Sequence, residues 1–149
     1  MTDKILLAID LLHESSWTRA LPEAEQEAHY RGAKLAAVTV VPDITVGVDW
    51  RYAIRGAMGG SQDYDSKQVM QEASEQLKQL LEYNAEAAGT IDTYVRTGTV
   101  YEEILKTADE VEPGLIVMAA RRPSLKEYLL GPNAARVVRH AGCSVLVVR

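Results

Sequence analysis

The sequence predicts an α/β fold: a doubly wound, five-stranded parallel sheet with helices on both faces. Short apolar runs alternate along the chain with longer amphipathic stretches, as expected for repeated strand–helix units in the order βαβαβαβαβ. The apolar runs are continuous rather than alternating, which indicates strands buried on both faces, as in parallel sheets. Right-handed crossovers leave few topologies. The commonest is the doubly wound one, here with strand order 3-2-1-4-5.

The first strand–helix–strand unit is the clearest. Lys4–Ile9 is a continuous apolar run and predicts the first strand. Ser15–Arg31 predicts a helix that ends at a glycine, with one of its first two serines as the N-cap. Pro22 lies inside this stretch, so it either bends the helix or marks its true start. Leu35–Val41 predicts the second strand.

The segment from Pro42 to about Gln62 has no clear periodicity and contains four glycines. Loops of this length inside a domain are usually functional or disordered. Its Trp50 and Tyr52 either anchor the loop to the body of the domain or contact a ligand or partner. Tyr64–Ala88 then predicts the longest helix. An apolar stripe at spacings of three and four supports it, formed by Val69, Ala73, Leu77, Leu80 and Leu81.

The second half continues the alternation. Arg121–Leu130 is predicted to be a loop or a short helix, and a proline in the first turn favours the helix after it. The other predicted elements are a strand at Ile91–Thr97, a helix at Val100–Val111, a strand at Leu115–Ala120, a helix from Gly131 to about His140, and a strand at Ser144–Val148.

Composition narrows the class of protein. The 149 residues suit a single domain spanning residues 1–149, and fractions of 47% hydrophobic and 25% charged residues are ordinary for a globular protein. The 16 basic and 21 acidic residues give a net charge of −5, which argues against nucleic-acid or membrane-surface binding. One cysteine excludes an internal disulfide framework and a cysteine-based zinc site. The three histidines lack ligand spacing, so no metal site is expected.

Targeting segments are not expected either. No apolar run approaches the 18 residues of a membrane span. The apolar run Ile5–Ile9 is too short for the core of a signal peptide. We therefore expect a cytoplasmic protein, which fits the single cysteine.

The predicted topology points to one place for a ligand. In doubly wound sheets, ligands bind at the carboxyl ends of the strands where the winding reverses, here between strands one and four. Those ends carry Asp10 and the segment Met118–Arg122, and the helix start at Gly131 lies on the same side. A helix N-terminus favours an anion, so phosphate or nucleotide binding is the expected chemistry.

Common phosphate and catalytic motifs are absent. The sequence has neither G-x-x-x-x-G-K-[ST] nor G-x-G-x-x-G after the first strand, and no G-x-S-x-G. It also offers no catalytic base with an evident orienting partner, so no catalytic residue is assigned. A third possibility kept open is a weak hydrolase that uses Asp10 or His13 with Arg121 and Arg122.

The chain resembles the universal stress protein family from end to end. The resemblance implies strand order 3-2-1-4-5, dimerisation through the last strand and, in many members, ATP binding. It is carried by ILLAID at Ile5–Asp10, RALPEA at Arg19–Ala24, AKLAAVTVVP at Ala33–Pro42 and, most specifically, LIVMAARRPSLKEYLLGPNAARVVRHAGCSVLVVR at Leu115–Arg149.

The phosphate motif of that family, G-x2-G-x9-G-[ST], is altered here. Ala119 and Arg122 occupy the first two glycine positions, and Gly131 alone remains after eight intervening residues instead of nine. Pro132 replaces the hydroxyl residue and has no N–H to offer a phosphate. Gly131 is therefore either a simple turn glycine or part of an anion site.

The family pattern places Asp10 against the nucleotide and the backbone of Val40 against adenine. The carboxylate of Asp10 needs either a ligand or a nearby backbone N–H as its partner. Arg121 and Arg122 are either solvated charges or cationic donors that replace the lost glycines at phosphate. The predicted nucleotide-binding residues are Ala8, Asp10, Val40, Met118, Ala119, Arg121, Arg122, Gly131, Pro132 and Asn133.

The leading hypothesis is a dimeric protein that binds an adenine nucleotide, with ATP as the expected cofactor and ADP or AMP not excluded. Its dimer is expected to form through Val145–Val148. The alternative is a nucleotide-free dimer that binds a protein partner.

Overall fold

Five parallel strands form the centre of the computed structural model, which describes residues 3–41, 66–120 and 132–149. Numbered along the chain, the strands lie in the order 3-2-1-4-5, as predicted. The first two strands pair from Lys4 with Lys34 to Ile9 with Thr39, so their carboxyl ends lie side by side. The strands are β1 Lys4–Ile9, β2 Lys34–Val41, β3 Asp92–Thr97, β4 Leu115–Ala119 and β5 Ser144–Val148.

Four α-helices in the described ranges cover the two faces of this sheet. They are α1 Ala20–Arg31, α2 Ser66–Asn84, α3 Val100–Val111 and α4 Pro132–His140. The α1 and α2 side chains pack with Ile5, Leu7 and Ile9 of β1 on one face. The α3 and α4 side chains pack with Leu6 and Ala8 on the other face. Alternate residues of β1 therefore enter two separate cores, which explains its uninterrupted apolar sequence.

Helix α1 begins five residues later than predicted. Glu14–Ser16 forms a short 3₁₀ turn, and α1 starts at Ala20 with Arg19 as its N-cap, which makes no side-chain capping bond. The prediction that a serine caps this helix is wrong, because Ser16 bonds to Asp10 instead. Pro22 lies in the first turn of α1 and so marks its true start, where the missing N–H costs little.

Helix α2 ends at Asn84, four residues before the predicted Ala88. The Asn84 side-chain amide donates a hydrogen bond to the carbonyl of Leu80 at 2.8 Å, and the backbone N–H of Ala85 donates to the carbonyl of Leu81 at 2.8 Å. The predicted apolar stripe is confirmed, since Val69, Ala73, Leu77 and Leu81 are buried and Leu80 packs against the core. The predicted loop from Pro42 to Gln62 and the predicted start at Tyr64 lie outside the described residues.

No helix in the described ranges is long and apolar enough to cross a membrane.

The two edges of the sheet are β3 and β5. Strand β5 pairs with β4 from Ser144 opposite Leu115 to Val148 opposite Ala119. Four of its five residues are half-buried, whereas the central strand β1 is buried along nearly its whole length.

Candidate functional site

Asp10 follows β1 directly and places a carboxylate at the carboxyl end of the central strand. Its side chain is 53% exposed. Oδ1 accepts a hydrogen bond from the backbone N–H of Leu12 at 3.0 Å, and Oδ2 lies 2.8 Å from Nδ1 of His13. The sequence left open whether a ligand or a backbone N–H satisfies this carboxylate. The structure provides the N–H and adds an imidazole, while half of the side chain still faces outward.

Ser16 fixes the backbone of Asp10. The Asp10 N–H donates to Oγ of Ser16 at 2.9 Å, and the Ser16 hydroxyl donates to the Asp10 carbonyl at 2.9 Å. The N–H of His13 donates to the same carbonyl at 3.1 Å and closes a tight turn. The turn after β1 is thus held by backbone and side-chain bonds together. It sets the direction in which the carboxylate leaves the strand.

Ala8, Val40 and Met118 lie on the face of the sheet covered by α3 and α4. Ala8 and Met118 are buried in that core, and Val40 packs against it and is half-buried. β1 lies between β2 and β4, so Val40 and Met118 come from the two strands that flank Ala8. These three predicted residues therefore lie on one face of the sheet, each as the second-last residue of its strand.

The remaining predicted residues divide into two groups. Ala119 is half-buried at the last position of β4. Pro132 and Asn133 are exposed in the first turn of α4, which contains no acidic residue that would repel an anion. Arg121, Arg122 and Gly131 lie outside the described residues, as do Trp50 and Tyr52.

The contact between His13 and Asp10 is a feature that the sequence does not predict. We expected no base with an orienting partner, yet the turn after β1 brings Nδ1 of His13 to the carboxylate of Asp10. The signal was a histidine three residues after an acid that ends a strand, a spacing that a tight turn folds back onto the acid. The spacing alone does not predict this contact, because it depends on the turn held by Ser16.

Cys143 is half-buried against the α3 and α4 core. Burial raises the pKa of its thiol, and a backbone hydrogen bond with Ile116 offsets this only in part, which disfavours the reactive thiolate. Within the described ranges, no cluster of three or more His, Cys, Asp or Glu side chains is arranged to hold a metal ion.

The strand order places the chain among the doubly wound α/β proteins, and Asp10 lies at the switch point of its sheet. The model of the universal stress protein family matches residues 1–149, and the chain belongs to that family. Universal stress protein G of Shigella flexneri is 37% identical over 81 residues, which cover 54% of this chain. The match spans 57% of that relative, so the chain spans little more than half of its length.

Two solved structures share the fold over nearly the whole chain. One is the universal stress protein from Archaeoglobus fulgidus in complex with dAMP, with 19% identity, a TM-score of 0.66, and coverage of 99% of this chain and 98% of that one. The other is a universal stress protein in complex with cAMP, with 24% identity, a TM-score of 0.60, and coverage of 99% and 97%. At these identities the likeness establishes the fold.

Proposed function

We propose that this protein binds an adenine nucleotide at the carboxyl ends of β1, β2 and β4. The observation that carries the proposal is the Asp10 carboxylate, half exposed and held in one orientation at the switch point of the sheet. A carboxylate here accepts hydrogen bonds from ribose hydroxyls, as acidic residues do in other doubly wound folds. The relatives described in complex with dAMP and cAMP support adenine as the base.

The proposed site has a ribose–adenine half and a phosphate half. In the first, the backbone of Val40 contacts adenine, Asp10 binds ribose, and Ala8 and Met118 form the floor. In the second, the first turn of α4 at Pro132 and Asn133 provides the positive end of a helix dipole. Ala119, Gly131 and the side chains of Arg121 and Arg122 complete this half, with the arginines replacing the family's glycine backbone at phosphate.

ATP is the proposed ligand, and ADP and AMP are its closest competitors. Pro132 has no N–H, and the loop before it is one residue shorter than the family motif, so contacts to the terminal phosphates are fewer. Most of the binding free energy is therefore expected from adenine and ribose.

The protein is further proposed to act as a homodimer in the cytoplasm. β5 lies at one edge of the sheet, and its apolar segment Val145–Val148 contains neither a proline nor a charged residue that would block edge pairing. Two copies related by a two-fold axis can pair these edges antiparallel. The alternative function, a nucleotide-free dimer that binds a protein partner, needs the same edge and no ligand.

Thermal unfolding with added nucleotide separates the two proposals. A ligand that binds only the folded state raises the melting temperature in proportion to the logarithm of its concentration once that exceeds Kd. We expect such a rise with ATP and AMP and none with inorganic phosphate alone. An unchanged melting temperature at millimolar ATP and AMP would favour the nucleotide-free dimer.

A further inference from the structure

We infer that His13 is a positioning residue of the nucleotide site, fixing the Asp10 carboxylate so that its free lone pairs face the ribose hydroxyls. The expected effect of His13 on nucleotide binding rests on the proposed function. Its structural half, that His13 holds the carboxylate of Asp10, stands on the geometry of the turn alone. No motif of the sequence gives His13 this role.

The geometry gives each oxygen of Asp10 one partner within the chain. Oδ1 accepts from the N–H of Leu12 at 3.0 Å, and Oδ2 accepts from Nδ1–H of His13 at 2.8 Å. An ionised carboxylate has about four acceptor positions, so two remain for a ligand. The side chain is 53% exposed, which leaves those positions open to approach.

Two bonds from different directions define the carboxylate better than one. The Leu12 bond alone leaves the side chain free to turn about its last torsion, which is soft for aspartate. The His13 bond removes that freedom, because the imidazole is itself half-buried, with 29% of its side chain exposed. Fixing an acceptor before the ligand arrives reduces the entropy cost of binding.

The bond to Oδ2 also defines the hydrogen-bonding state of the imidazole. An ionised carboxylate only accepts, so Nδ1 carries the proton in this contact. Nε2 then lies on the opposite edge of the ring and takes no part in holding Asp10. An asparagine at this position reproduces the donor at Nδ1 but lacks the Nε2 edge. His13→Asn therefore separates positioning from any direct use of Nε2.

The test on binding is a double-mutant cycle read by calorimetry with AMP. We expect His13→Ala to weaken AMP binding about five-fold, the effect of one hydrogen bond, and His13→Asn to restore most of it. In the Asp10→Ala background, His13→Ala should change the affinity by less than about two-fold, because the residue acts only through Asp10. His29→Ala, an exposed histidine on α1, is the matched control.

The ribose provides a second readout that general loosening of the fold would not produce. AMP offers two ribose hydroxyls and dAMP one, so His13→Ala should weaken AMP more than dAMP. A loss of equal size for both ligands, or an equal loss in the Asp10→Ala background, would overturn the positioning role.

A measurement on the free protein tests the inference independently of any nucleotide. The Leu12 amide donates to the carboxylate that His13 holds, so its hydrogen exchange reports on the order of that carboxylate. We expect measurably faster exchange in His13→Ala and wild-type exchange in His13→Asn. Unchanged exchange in His13→Ala contradicts the inference. If exchange responds but no adenine nucleotide binds, the proposed function alone fails.

Discussion

The guanidinium of Arg136 on α4 lies over the ring of Tyr101 on α3, with its central carbon 4.9 Å from the ring centroid. Such a contact between a cation and an aromatic face is attractive. Tyr101 is in the first turn of α3, and Arg136 is one turn after Pro132. The contact therefore joins the two helices that cover Ala8 and Met118, close to the end of α4 that is proposed to face phosphate.

The end of α1 allows a test of the backbone geometry. Gly32 adopts a left-handed conformation with φ of 62°, and a Cβ added there meets no atom within 4 Å. Gly32→Ala should therefore lower the free energy of unfolding by about 1–2 kcal/mol through backbone strain alone. Urea unfolding at a fixed protein concentration measures it.

Gly89→Ala is the matched control for that change. A Cβ at Gly89 also meets nothing within 4 Å, and its backbone is outside the left-handed region. Its stability should be unchanged or slightly raised, because alanine restricts the unfolded chain. An equal loss in both variants would show that strain at Gly32 is not the cause.

The proposed dimer makes different predictions for two neighbours on β5. Leu146 packs against the core under α1 and α2, whereas Val147, the next residue, points to the opposite face and is half-buried. Val147→Glu should yield folded monomers, because two like charges meet near the two-fold axis. Leu146→Lys should instead lose stability, because it buries a charge in that core.

Sedimentation velocity and circular dichroism together measure both outcomes. Wild-type protein should sediment as a dimer at micromolar concentration. Wild-type protein that sediments as a monomer would contradict the proposed dimer. A Val147→Glu variant that remains dimeric would show that the dimer interface is not formed by β5.

The first turn of α4 predicts a change in ligand preference. Pro132→Ser introduces a hydroxyl and an N–H at the first position of that helix. One new hydrogen bond to phosphate is worth about 1 kcal/mol, so ATP should bind about five-fold more tightly while adenosine is unaffected. Parallel titrations with the two ligands measure this difference. Equal changes for both would place Pro132 away from phosphate.

The fold was predictable because its signals are local and consistent. Continuous apolar runs predicted each strand to within one residue at either end, whereas the start of α1 and the end of α2 moved by five and four residues. Polar residues near Ser16 suit a helix start and predict one helix over Ser15–Arg31, but the bonds between Ser16 and Asp10 compete with that use.

The position of Asp10 in the fold was predictable, and its contacts were less so. Asp10 was found from the topology, since the end of a central strand at the switch point is a general ligand position. The contact of His13 with Asp10 could not be predicted in the same way. It depends on the turn after β1, and Ser16 holds that turn through hydrogen bonds that the sequence spacing does not specify. Arg121 and Arg122 lie outside the described residues, so the two interpretations of these arginines stay predictions.

Titration calorimetry of AMP and ATP into three proteins tests the central claim most directly. Wild-type protein should give saturable binding of both nucleotides. Asp10→Ala should lose about 1.5–3 kcal/mol, or about 10- to 150-fold in affinity, because a charged acceptor for ribose is removed. Asp109→Ala, which removes an exposed acid on α3, should bind like wild type. Wild-type protein that binds neither nucleotide, or Asp10→Ala that binds both as tightly as wild type, would contradict the account.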